Sequence, residues 1–158
     1  MQKIIIFLVL SLFSISLFAQ KYNLQPLLNV YNSNSLTKAL IKLNSIKDFK
    51  GDINVDNITK KKKIIGTVGK DSIIAISLKE KTKLEIVFVD KSTFEHLLEQ
   101  AKQNLHFNND YKRGSKDISR HTYSFSMKGS DLWFNLAECY RDENVFFYEL
   151  ELTTYPKD

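Results

Sequence analysis

Apolar residues recur along this chain with two different periods. In "NSLTKALIKLNS" they fall three and four residues apart at Leu36, Leu40 and Leu43, with Ser35 placed to cap the first turn. "STFEHLLEQAKQNLHF" carries a stronger stripe of Phe94, Leu97, Leu98, Ala101 and Leu105, and Ser92 with Glu95 has the spacing of a capping box. A short helical turn is expected from Pro26, with Leu27, Leu28 and Tyr31. These segments predict two main helices.

Most of the remaining chain alternates with period two. Ile74, Ile76 and Leu78 share one side of a strand, and Leu84, Ile86 and Phe88 share one side of the next. Treating "KEKTK" as a five-residue connection pairs Leu78 with Leu84 and puts both sets on one face. A "GKDS" turn pairs Val68 with Ile73 and brings Ile65 and Thr67 to that same side. In the C-terminal third, closing a hairpin at "RDEN" (141–144) sets Cys139 opposite Phe146 and Ala137 opposite Tyr148. Trp133, Asn135, Ala137 and Cys139 then face inward with Phe146, Tyr148, Leu150 and Leu152. A three-residue "GSD" loop adds Tyr123, Phe125 and Met127 to that interior, whereas a two-residue turn at Gly129–Ser130 sends them to the other face.

The predicted order is helix and three strands, twice over, with the analogous turns "VGKDSI" and "MKGSDL" and a polar connection after each helix (47–62 and 107–121). "DINVDNI" (52–58) is a candidate for an additional short strand. The expected class is α+β: an antiparallel sheet of about six strands, two main helices on one face, built as two αβββ pseudo-repeats. This tandem helix-plus-sheet layout resembles that of exported β-lactamase-inhibitor-type proteins in architecture alone, and implies an inhibitor- or immunity-like role.

The N-terminus changes the picture. "MQKIIIFLVLSLFSISLFAQ" has one cation, then an uncharged run to Ala19. That is the pattern of a signal peptide over 1–19, too short for the roughly 20 apolar residues a membrane span requires. The mature chain is expected to be one domain, 20–158, exported to the periplasm or beyond, touching a membrane only through the leader if it is retained. Removing Lys3 leaves 22 bases against 18 acids, a net +4. Residues 20–80 hold 11 bases and 5 acids, and residues 81–158 hold 11 and 13. That is a dipolar surface, not a nucleic-acid binder's uniform positive coat. The single cysteine, Cys139, precludes an intrachain disulfide and reads as a buried thiol.

Little of this composition points to catalysis. Lys60–Lys63 enter a strand with side chains alternating between faces, which suits a solvated edge better than a phosphate cradle. His96 and His106 are expected on the outer side of the second helix and His121 before a strand, so no metal site is predicted. No nucleophile elbow, zinc-protease motif or phosphate loop occurs. No cofactor is expected.

In the expected register, Phe134, Leu136 and Phe147 stand outward, ringed by Ser124, Ser126, Glu138, Glu149 and Glu151. This is the apolar centre and polar rim of a recognition surface. With Arg113 in the 107–120 connection, these residues predict a non-enzymatic binding module whose partner is a protein or envelope component. The alternative is a small-ligand carrier or minor hydrolase with a pocket between sheet and helices, lined by Tyr123, Trp133, Asn135 and Tyr148.

Overall fold

The computed structural model describes residues 22–78, 81–114, 117–141 and 144–154, so the expected leader at 1–19 lies outside the described residues. Among them, three helices form where apolar side chains recur at helical spacing: α1 (Leu24–Tyr31), α2 (Leu36–Leu43) and α3 (Lys91–Asn104). The turn expected at Pro26 is thus a full helix, burying Leu24, Leu27, Leu28, Val30 and Tyr31. Ser35 caps α2, its hydroxyl accepting the Lys38 N–H at 3.3 Å. The cap of α3 is Asp90, not Ser92. Its carboxylate accepts the backbone N–H groups of Ser92 and Thr93 at 3.3 and 3.0 Å and the Ser92 hydroxyl at 2.8 Å. A carboxylate at a helix N-terminus also meets the positive end of the helix dipole.

Eight strands are described: β1 (Phe49–Val55), β2 (Lys62–Val68), β3 (Asp71–Leu78), β4 (Lys81–Phe88), β5 (His106–Gly114), β6 (Ile118–Ser126), β7 (Leu132–Arg141) and β8 (Asn144–Thr154). They form one antiparallel sheet in the order β1-β2-β3-β4-β8-β7-β6-β5. The α+β class and antiparallel sheet match expectation, but each half of the chain contributes four strands. The two polar connections supply the extra ones, β1 and β5, at the two edges of the sheet. Nearly every residue of these strands is exposed or half-exposed, so they lack the apolar alternation by which strands are recognised. Arg113 accordingly lies on edge strand β5 rather than in a loop. β2, where the lysine run ends, is an inner strand flanked by β1. Lys60 takes a left-handed φ of 57° in the hairpin turn before it, where the Asp56 carboxylate accepts the Ile58 and Thr59 N–H groups.

The helices cover one face. Side chains from both meanders meet them there: Ile64, Val68, Ile73, Ala75, Leu84, Ile86 and Phe88 from the first, Phe125, Phe134, Leu136, Tyr148, Leu150 and Leu152 from the second. An aromatic chain crosses this layer. Phe88 stacks on Tyr148 with centroids 5.7 Å apart, Tyr148 on Phe94 at 4.8 Å, and Phe94 meets Tyr123 edge-on at 6.0 Å. Buried polar groups on the helix side include two paired ones: the Tyr22 hydroxyl donates to Asp71 at 2.9 Å and the Thr82 hydroxyl to the Ser33 carbonyl at 2.8 Å. At the first edge, Gly51 and Gly66 pair directly beneath the Phe49 ring. A Cβ on Gly66 would stand 2.5 Å from that ring, so only glycine lets the aromatic cover the pair.

Strand parity differs from expectation at three places. Leu78 pairs with Lys81, which makes the β3–β4 connection two residues long, and Ala75 rather than Leu78 faces Leu84. Ile65, Ile74 and Ile76 consequently sit on the face without helices. Ser126 pairs with Trp133, so the β6–β7 connection has the parity of a two-residue turn and Tyr123 and Phe125 oppose Leu136 and Phe134. In β8 the expected pairing holds at Tyr140 opposite Val145, but a bulge at Phe146 shifts the register so that Cys139 faces Phe147 and Ala137 faces Glu149. Phe134 and Leu136, expected outside, are both 0% exposed, and Phe146, expected inside, is 55% exposed.

Phe134→Ala should lower unfolding free energy by about 3–5 kcal/mol, whereas Phe146→Ala should change it by less than about 1 kcal/mol, both read from denaturant unfolding. Hydrogen bonds led by that from Thr93 hold the Asp90 carboxyl below its ordinary pKa, so its contribution is complete above the unfolded value of about pH 4 and fades as acid titrates the folded group. Asp90→Ala should therefore cost about 1 kcal/mol at neutral pH and progressively less on acidification, measured by the same unfolding curves.

Candidate functional site

The face of the sheet opposite the helices is open, and over the second meander it is hollowed. The hollow follows from side-chain size. On the two inner strands, the open-face positions are Thr122 and Ser124 of β6 and Asn135, Ala137 and Cys139 of β7, all short. Taller residues flank them: Tyr111 and Arg113 on β5, Phe147, Glu149 and Glu151 on β8, with Trp133 at one end and Arg120 near the other. Thr122, Ser124 and Ala137 are at most 2% exposed although no helix among the described residues covers them. The result is a trough of about 630 Å³ reaching from Asn109 and Tyr111 on β5 to Glu151 and Thr153 on β8, with Ser124, Trp133 and Asn135 between.

Polar groups in the trough form a continuous relay. The Ser124 hydroxyl donates to the Asn135 side-chain oxygen at 2.8 Å, and the Asn135 amide donates to Glu151 at 3.3 Å. Glu151 in turn pairs with Lys83 at 2.7 Å, and Lys83 also reaches Glu85 at 2.8 Å. Burial works against the charge on Lys83, but the Glu151 and Glu85 carboxylates outweigh it and hold its pKa above the usual value. Glu85 and Glu151 stand directly opposite each other where β4 meets β8. Lys83 therefore neutralises a like-charge pair that would otherwise weaken that junction. Further along, Arg120 Nη1 pairs with Glu149 at 2.9 Å. Two buried polar atoms on this face, Arg120 Nε and Thr122 Oγ1, have no hydrogen-bond partner among the described residues.

The structure divides the sequence-predicted site residues between the two faces. Arg113, Trp133, Asn135, Phe147 and Glu149, drawn from both the expected surface and the expected pocket, come together on the open face. Phe134 and Leu136 belong to the core, as does Tyr148, and Tyr123 packs against it. The pocket expected between sheet and helices therefore does not assemble, because Trp133 and Asn135 point away from Tyr123 and Tyr148. Glu138, also on the helix side, accepts the hydroxyls of Tyr123 at 3.3 Å and Tyr140 at 2.9 Å. Tyr111 and Arg120 were not singled out from the sequence, and Glu151 was placed only in the polar rim of the expected surface. Tyr111 and Arg120 fall in what read as a connection, and only the observed register aligns Glu151 with Asn135.

The histidines do not converge. His96 Nε2 lies 3.1 Å from Asn23 at the start of α1, and His106 begins β5 instead of ending the helix. His121 lies between Asp110 (Nε2, 2.8 Å) and Glu138 (Nδ1, 3.6 Å), with both ring nitrogens directed at carboxylates. Among the described residues no group of three or more potential ligands is arranged to hold a metal ion. No helix among them is long and apolar enough to cross a membrane.

Comparison with protein-family models, with curated proteins and with solved structures finds no match for this chain. The resemblance to inhibitor-type proteins thus rests on layout alone and carries no argument about the site.

Cys139 offers a probe of this face. Burial pushes its thiol up to about 11, with the neighbouring Glu149 adding to the rise and Arg120 opposing it. Because the thiolate is the reactive form, alkylation at pH 8 should be at least tenfold slower than in the unfolded chain, on the order-of-magnitude scale of such shifts. Glu149→Gln should move the pH profile of alkylation downward, since it removes the carboxylate and leaves the Arg120 cation.

Proposed function

We propose that the mature chain is an exported, non-enzymatic recognition module that receives a segment of a protein partner in the trough over β5–β8. One observation carries this reading: the large open depression lies on the helix-free face, is floored by short side chains and is walled by Tyr111 and Trp133. Aromatic side chains beside a recessed floor are the usual anchors of protein recognition. The leader pattern at residues 1–19 supports export.

The chemistry of the trough favours binding over catalysis. An activated serine needs a base to take its proton, yet the Ser124 hydroxyl donates to an amide oxygen. The carboxylates Glu149 and Glu151 are each held by a cation. Such groups position a ligand through hydrogen bonds without a proton to exchange.

Site-specific photo-crosslinking in the envelope of producing cells tests the proposal. A photoreactive residue at Tyr111 or Thr153 should yield a discrete protein adduct, and one at Ile41, exposed on the helix side, should not. Adducts from Ile41 alone, or none from the trough, would overturn it. Against the partner so identified, Trp133→Ala should weaken binding by about 2 kcal/mol, the cost of losing an aromatic anchor.

A further inference from the structure

Beyond the trough, at the end of the open face away from Trp133, lies a second depression of about 310 Å³. That volume is at the lower limit of small-ligand sites, roughly 300–1,000 Å³. Its wall is mainly apolar, formed by Ile118, Cys139, Phe146 and Phe147, and three arginines stand around it: Arg113, Arg120 and Arg141. The bulge that displaces Phe146 from the β7–β8 register also places its ring beside Phe147, with centroids 5.6 Å apart.

The charges here do not balance. Among the described residues, three guanidinium groups surround one carboxylate, Glu149, which pairs with Arg120 through Nη1. Arg120 Nε is buried without an acceptor among the described residues. Arg141 lies over the Phe146 ring at 4.4 Å and Arg113 over Tyr111 at 4.8 Å, positions that orient each planar cation. Among the described residues, the ion pairs on this face are Arg120–Glu149 and those of Lys83 with Glu85 and Glu151, and neither Arg113 nor Arg141 enters one. An apolar cup with surplus arginines complements a ligand that joins a hydrocarbon body to one anionic group, and a carboxylate matches the guanidinium fork.

We infer that this depression binds a monocarboxylate bearing a short hydrocarbon tail, its carboxylate held by Arg113, Arg120 and Arg141 and its tail against Phe146, Phe147 and Ile118. The site is separate from the trough's floor and does not depend on a protein partner.

Titration of the mature chain with sodium octanoate, followed by calorimetry and by the rate of Cys139 alkylation, tests this. Octanoate should bind saturably and slow alkylation, while 1-octanol, octylammonium and acetate each bind at least tenfold more weakly. The double substitution Arg113→Gln and Arg141→Gln, at two exposed positions, should weaken octanoate at least tenfold and leave octanol unchanged, with the fold checked by circular dichroism. Equal binding of octanol would reduce the depression to a patch without anion recognition. Equal binding of acetate would remove the role of the apolar cup. Absence of saturable octanoate binding, or its full retention in the double variant, would overturn the inference.

Discussion

The architecture depends on the junction between β4 and β8. Each meander brings its last strand to this line, where residues 84–88 pair antiparallel with 148–152 and turn two four-stranded units into one sheet. Both faces reinforce it. On the helix side, Leu84, Ile86 and Phe88 interlock with Leu152, Leu150 and Tyr148, and α1 packs on both strands. On the open side, Lys83 bridges the facing carboxylates Glu85 and Glu151. Without that cation, the junction would set two negative charges side by side in the centre of the sheet.

With the helices all on one side, the other face is free to specialise, and its two halves do so differently. Over the first meander it carries branched aliphatic residues, with Ile65 opposite Ile74. Over the second it sinks into a trough because the inner strands use threonine, serine, asparagine, alanine and cysteine between taller neighbours. The relay from Ser124 to Lys83 ties the trough to the junction. The polar groups of the trough are thus fixed by the interaction that unites the two halves. A preset arrangement of this kind lowers the ordering cost of binding.

The helices were legible because their signal is local: a stripe at three- and four-residue spacing with a polar cap nearby. Even there, α3 begins at Lys91 behind Asp90, since a carboxylate two residues earlier competes successfully with the serine for the exposed N–H groups. Strand faces were harder to read for an identifiable reason. β7 has apolar residues on both alternations, with Leu132, Phe134 and Leu136 interleaved with Trp133, Ala137 and Cys139, and β3 places Ile73 beside Ile74. Alternation then supports either face, and only the number of residues in each connection decides. The parity of the β6–β7 connection and the bulge at Phe146 both reverse β7 relative to its neighbours, so Trp133 and Asn135 join Ser124, Phe147 and Glu149 on the open face while Phe134 and Leu136 pass to the core.

The sequence alone determined the elements with short-range signatures: the helices, the strand-rich segments and the α+β class, each arising from neighbours within a few positions. Tertiary structure decided which side of the sheet the helices cover, that two polar segments become edge strands, and that Arg113, Trp133, Asn135 and Phe147 share a face while Phe134 and Leu136 lie beneath it. Those outcomes depend on pairing between residues far apart in the chain. Because side chains alternate along a strand, one residue of register separates the interior from the surface.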